Sequence, residues 1–187
     1  MTQTGAEREA ELDGILYTEA QIADTVRLLA ERIAPVYEGN PLLLVGVMKG
    51  ALFFMADFAR ALSRVPNGPS EITLDILVAS SYGASTQSSG VVRLQSDVTV
   101  PIEGRHVLIV EDVVDQGYTV AALQRILGGR LPARLRTCVL FDKPARRVAE
   151  VAADYVGFTC PDAFIVGYGL DYQEKYRNLP YVATLRP

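Results

Sequence analysis

The stretch Val107–Thr119, VLIVEDVVDQGYT, decides the fold. A short, continuous apolar strand runs straight into two adjacent carboxylates, Glu111 and Asp112. Two more apolar residues follow, and then Asp115, Gly117 and Thr119 stand at the mouth of a helix. An unbroken apolar run suits a strand covered on both faces, as a parallel sheet requires. The helix start offers unpaired N–H groups and a positive dipole end, which suit a phosphate. Gly117 lets the backbone approach closely, and the Thr119 hydroxyl adds a donor. Paired carboxylates just ahead of such a cradle suit ribose hydroxyls or a magnesium ion. Taken singly, acidic residues that end a strand are common, and Asp115 alone would read as a helix cap. Thirteen residues in this order are much harder to explain that way.

Working outward, the same alternation recurs. Pro41–Val47 (PLLLVGV) is a second apolar strand, followed by MKG and a buried helix, ALFFMADFARAL. Strand, tight loop and helix make half of a βαβ unit. Further strands are predicted over Ile72–Ala79, His106–Val110 and Leu135–Phe141, and a helix over Thr119–Leu127. Near the start, Thr18 and Gln21 form a capping box. Ile22, Val26, Leu29 and Ile33 then line one stripe of an amphipathic helix that ends near Pro35 or Gly39. Residues 1–14 read as a flexible tail and 15–187 as one domain. Ser80–Gly90, SSYGASTQSSG, holds five serines, one threonine and two glycines, so it packs no core. It reads as a surface loop, either a hairpin connection or a lid. Ala152–Pro187 has short strand-like pieces (Asp154–Phe158, Phe164–Gly167) and reads as a small lobe. The fold class is α/β: a parallel twisted sheet flanked by helices, with ligands at the carboxyl ends of its strands.

Composition narrows the function classes. The 187 residues are 49% apolar and 21% charged, with a formal net charge of -4. A nucleic-acid partner held through phosphates calls for a basic surplus, and none exists. No apolar run approaches a membrane span, and the polar start lacks the apolar core of a signal peptide, so the expected location is cytoplasmic. Cys138 and Cys160 form no CxxC motif, which argues against zinc. Cys138 lies mid-strand as a small hydrophobe, and Cys160, before Pro161, reads as an exposed thiol. The single histidine, His106, opens its strand and points away from the expected site.

The thirteen-residue stretch resembles the PRPP (5-phosphoribosyl-1-pyrophosphate) signature of type I phosphoribosyltransferases. GVMKG at 46–50, SSYG at 80–83, FDKPARR at 141–147 and FIVGYGLDYQEKYRNLPYV at 164–182 extend the resemblance to the bacterial hypoxanthine-guanine members, from Leu12 to the C-terminus. It implies the type I fold with a hood, built largely from 152–187 plus the N-terminal segment. It also implies transfer of phosphoribose from PRPP to N9 of a 6-oxopurine, expelling pyrophosphate. Glu111 and Asp112 would hold the ribose hydroxyls and Asp115 would face the purine N7 as proton acceptor or electrostatic partner. The backbone from Asp115 through Gln116, Gly117 and Tyr118 to Thr119 would cradle the 5′-phosphate. Gln116 departs from the threonine or serine common there. Lys49, Gly50 and Arg177 would meet pyrophosphate, with a cis peptide between Met48 and Lys49. Ser81 and Tyr82 would head the mobile loop. Lys143 would donate to the purine O6, Phe164 would stack on the base, and Ile165 would offer backbone groups to its edge. Magnesium is the implied cofactor, with Glu111 and Asp112 near it and Asp171 near a second magnesium and the purine exocyclic edge. The implied partners are small molecules, with no nucleic acid or membrane, in a dimeric or tetrameric homo-oligomer. The alternative is a regulator on the same fold that binds PRPP or nucleotide without turnover.

Overall fold

The computed structural model describes residues 12–81 and 92–186. Six strands form the main sheet: β2 (Pro41–Met48), β3 (Glu71–Ser81), β4 (Val92–Ser96), β5 (His106–Val114), β6 (Arg134–Asp142) and β7 (Tyr155–Thr159). Their order is β4-β3-β2-β5-β6-β7. All neighbours run parallel except β4, which pairs antiparallel with β3 and makes the sheet mixed rather than wholly parallel. Three helices connect it: α1 (Glu19–Ile33), α2 (Leu52–Leu62) and α3 (Tyr118–Gly128). A second, antiparallel sheet of β1 (Leu12–Tyr17), β9 (Val182–Leu185) and β8 (Ile165–Val166) forms the hood.

Three boundaries differ from the sequence expectation. Residues 12–14 belong to β1 rather than to the tail, because β9 offers a partner edge that no local signal announces. Tyr155–Thr159 joins the main sheet beside β6, not the small lobe. The apolar strand predicted to stop at Val110 continues to Val114, so Glu111 and Asp112 lie within β5 and are held by its ladder to β6. Ser81 ends β3 in backbone register with Val92. Tyr82 and the rest of the serine-rich loop lie outside the described residues.

Hydrophobic burial explains the assembly. All four stripe residues of α1 are buried, and they share one core with α2, Leu42 and Leu44 of β2 and Leu108 of β5. Val45, Val107 and Ile109 point to the opposite face of the sheet and pack with Leu123 and Leu127 of α3. Tyr17 ties the hood to the main sheet, stacking on Phe158 at 4.1 Å and on Phe141 at 5.7 Å between ring centroids. Cys160 is buried beneath this stack, with Sγ 3.5 Å from the Tyr17 hydroxyl, and not the exposed thiol expected. Cys138 is buried as expected. His106 opens β5 and packs edge-on to Tyr37, at the opposite end of the strand from Glu111 and Asp112.

The chain leaves β2 for β3 on one side and crosses back to β5 on the other. The crevice between the carboxyl ends of β2 and β5 is therefore the topological switch point, where open α/β sheets take ligands.

The capping box at α1 is complete: Thr18 Oγ1 accepts from the Gln21 N–H, and Gln21 Oε1 accepts from the Thr18 N–H at 2.9 Å. Thr18→Ala should cost about 1 kcal/mol, a fall in Tm of roughly 2–4 °C for a chain of this length. Thermal denaturation checks it, and no kinetic constant should change.

Candidate active site

At the switch point the end of β5 carries the carboxylates, and strand alternation sends the two neighbours to different cavities. Glu111 lines a cavity of about 280 Å³ with residues 113–120, the loop and helix mouth. Asp112 lines an adjoining cavity of about 290 Å³ with Lys143, Phe164, Ile165 and Asp171. Asp115 lines both. The arrangement thus places a helix-mouth cradle and a flat-sided pocket side by side, with one carboxylate at their boundary. A larger cavity, about 700 Å³, lies between α1, α2 and the hood, away from these carboxylates.

Glu111 and Asp112 are each 8% exposed. Burial pushes the Glu111 carboxyl well above its ordinary pKa, and the Asp112 charge beside it adds to the shift. Glu111 Oε2 is buried with no hydrogen-bond partner. Burial also raises Asp112, partly offset by the Val113 N–H at 2.8 Å and the charge of Arg177. Two glycines let neighbouring loops close on this pair. A Cβ at Gly50 would collide with the Asp112 carboxylate, and one at Gly169 would collide with the Gly50 carbonyl. Gly169 also sits at φ +103°, open to glycine far more than to other residues.

The helix mouth follows. Gly117 sits at φ +90° as the N-cap of α3. Gln116, Tyr118 and Thr119 complete the cradle's wall. The Asp115 carboxylate pairs with Arg146 Nε at 2.8 Å. Lys143, 6% exposed, directs Nζ at the Ala163 carbonyl at 2.8 Å, and burial lowers its pKa. Phe164 is 50% exposed, its ring meeting Tyr172 edge-on at 5.6 Å. The neighbouring Ile165 is buried in β8, so it can offer only its backbone.

The peptide between Met48 and Lys49 is cis, as the resemblance implied. Lys49 Nζ lies 2.7 Å from Glu174, and Arg177 lies 2.7 Å from Asp171 and 3.3 Å from Glu174. Arg177 also donates to the Gly169 carbonyl at 2.7 Å. Arg146, Tyr172 and Glu174 were not singled out from sequence, although each stands inside a quoted motif; their roles rest on contacts across the fold.

Among the described residues no three His, Cys, Asp or Glu side chains cluster tightly enough to hold a metal alone. Asp171 is engaged instead by Arg177 and by the Glu174 N–H at 2.8 Å. The unpartnered Oε2 of Glu111 beside Asp112 nevertheless fits magnesium. That ion commonly takes one or two carboxylates and completes its shell with water and substrate oxygens.

Comparison with known proteins settles the family: residues 13–173 match the phosphoribosyl transferase domain. The chain belongs to the phosphoribosyltransferases. This phosphoribosyltransferase is 41% identical to the hypoxanthine-guanine phosphoribosyltransferase of Bacillus subtilis over 177 residues, 95% of each chain. It is 44% identical to that of Mycobacterium tuberculosis over 191 residues, covering 99% of this chain and 92% of the relative. A solved hypoxanthine phosphoribosyltransferase of Staphylococcus aureus superposes with a TM-score of 0.90 at 37% identity, covering 99% and 97% of the two chains.

Two substitutions probe this geometry. Gly50→Ala should displace the Asp112 carboxylate, and a misplacement of about 1 Å can cost roughly 10²-fold in rate. Steady-state kinetics should show that loss, while Gly14→Ala, with nothing within 4 Å of the new methyl, leaves the rate unchanged. Glu111→Gln replaces a buried carboxyl, whose ionised form burial and the neighbouring Asp112 disfavour, by a neutral amide of the same shape. The metal-free protein should gain roughly 1–3 kcal/mol of stability, read as a higher Tm, while turnover falls.

Proposed function

We propose that this phosphoribosyltransferase moves the 5-phosphoribosyl group of PRPP to N9 of hypoxanthine or guanine, giving IMP or GMP and pyrophosphate in purine salvage. The observation that carries the reading is the meeting of two cavities at Asp115. A helix-mouth cradle lies on one side, and a pocket with a buried ammonium and an exposed aromatic face lies on the other.

Each residue then has a task its chemistry suits. The loop 115–119 holds the 5′-phosphate at the mouth of α3, where N–H groups and the dipole favour an anion. Glu111 and Asp112 accept from the ribose hydroxyls and fix the sugar between the cavities. Phe164 stacks on the purine, Ile165 offers backbone groups to its edge, and Lys143 donates to O6. Asp115 takes the proton the purine must shed, and Arg146 holds its carboxylate in place. Lys49 and Arg177 receive the departing pyrophosphate. Lys49 pairs with Glu174, an exposed side chain that solvent screens and that exchanges readily, while Arg177 is held in place by Asp171 and the Gly169 carbonyl. Charge moves from ribose to pyrophosphate in the transition state, so positioned cations and excluded water supply most of the catalysis.

Magnesium is the cofactor we propose, held through Glu111 and Asp112 with the substrate; when bound it neutralises charge on the leaving group. The partners are small molecules, the expected place of action is the cytoplasm, and the expected assembly is a dimer or tetramer. Among the described residues no helix is long and apolar enough to cross a membrane. A regulator without turnover is disfavoured, since Lys49, Asp115, Lys143 and Arg177 are all present.

A PRPP-dependent assay with hypoxanthine, guanine and adenine side by side tests the reading. An ammonium is donor-only and faces the carbonyl of a 6-oxopurine but the amino group of adenine. Hypoxanthine and guanine should turn over and adenine should largely fail; equal use of all three would overturn the reading. Lys143→Ala should lose roughly 10–150-fold in kcat/KM on the oxopurines and none on any residual adenine reaction. Asp115→Asn should lower kcat by ~10²–10⁴-fold while PRPP binding survives, since the cradle is mostly backbone. A change within twofold would reduce Asp115 to a cap.

A further inference from the structure

Sequence reading passed over Arg147, and its surroundings differ from those of Arg146 beside it. Arg146 turns outward to the Asp115 carboxylate. Arg147 turns inward, its side chain 19% exposed, and pairs with Asp142 at the end of β6. Its remaining donors reach main-chain carbonyls. Nε donates to Asp115 O at 3.1 Å, Nη1 to Val151 O at 3.0 Å, and Nη2 reaches Val114 O at 3.4 Å. Backbone N–H groups of the same segment complete the row. Lys143 N donates to Val114 O at 2.9 Å, while Val148 N and Ala149 N donate to Gln116 O at 3.0 and 2.9 Å.

Three consecutive carbonyls, those of Val114, Asp115 and Gln116, therefore point at the segment 143–149. In a trans peptide the C=O of one residue and the N–H of the next point in opposite directions. Among the described residues the only cis bond is Met48–Lys49, so this geometry holds for all three peptides. Turning three carbonyls toward Arg147 and its segment turns the N–H groups of Asp115, Gln116 and Gly117 toward the opposite side. Successive N–H groups aimed at one space make an anion-binding concavity.

We propose that Arg147 is a positioning residue that holds the carbonyls of the phosphate loop behind the site and thereby aims its N–H groups at the 5′-phosphate. The inference rests on the reading of 115–119 as the phosphate cradle. An arginine suits the task because its planar fork engages several acceptors in fixed directions, where a lysine offers one compact charge. Gly117 fits the same account: a Cβ there would stand 2.8 Å from Arg147 Cδ and 2.7 Å from Val151 Cγ1, wedging the clamp away. Arg147 touches no reacting atom, so its effect should appear in phosphate recognition alone.

IMP and inosine differ only by the 5′-phosphate, so the ratio of their affinities isolates the cradle. Calorimetry on the full-length wild type, Arg147→Lys and Asp142→Asn, with Tm recorded for each, measures it. The wild type should bind IMP at least ~10²-fold more tightly than inosine, as several charge-assisted hydrogen bonds allow. Arg147→Lys should reduce that ratio about tenfold or more while inosine affinity stays within twofold, and Asp142→Asn should reduce it by a smaller factor. An unchanged ratio in Arg147→Lys, or equal losses for IMP and inosine, would overturn the inference. If Arg147→Lys does not fold, the ratio in Asp142→Asn decides by the same criterion. A wild type that binds the two ligands equally would instead remove the cradle reading, and the inference with it.

Discussion

Two carboxylates buried side by side near the end of β5 set the terms for the rest of the molecule. An ionised carboxylate taken out of water costs several kcal/mol unless something meets its charge. Here Glu111 Oε2 meets nothing in the protein. The fold accepts that cost because β5 is the centre of a sheet whose ladders on both sides fix its course. The proposed substrate hydroxyls and cation would supply what the pair lacks. The loops that close over it do so through Gly50 and Gly169, where any side chain would strike the carboxylate or the loop that covers it. Under the proposed function, an interior left unsatisfied by the protein is what a ribose and its cation would complete on binding.

Around that pair stand two cations, each paired with carboxylates of the hood segment. Lys49 and Arg177 reach the site from opposite directions, one from the loop after β2 and one from the hood, and Glu174 joins them. Lys143, by contrast, is buried and bonded to the chain just before Phe164. Lys49 is exposed and Arg177 half-buried, so under the proposed roles the cations that meet pyrophosphate are more accessible than the one that reads the base edge.

Much of this was legible in sequence, for reasons that can be named. Apolar runs such as PLLLVGV and HVLIV announce central parallel strands because both faces must be covered. The stripe and capping box of α1 are local signals, and both hold in the structure. The edges were not legible. β1, β4 and β9 are short strands defined by partners far away in the chain, so periodicity says little about them. β7 misled for the same reason: only its pairing with β6 separates it from the hood. The site shows the same divide. Carboxylates, glycines and lysines at strand ends carry their chemistry in their type and place. Arg146, Arg147 and Glu174 acquire a role only when the fold brings Asp115, the Asp115 carbonyl and Lys49 to them.

The most direct measurement is PRPP-dependent formation of IMP from hypoxanthine as magnesium is titrated into chelator-treated enzyme, wild type beside Glu111→Gln. If the buried pair depends on a cation that arrives with the substrate, turnover should vanish in excess EDTA and return with magnesium. The variant should need more magnesium and reach a lower rate. Full turnover in excess EDTA, or a variant with the wild-type magnesium response, would contradict it.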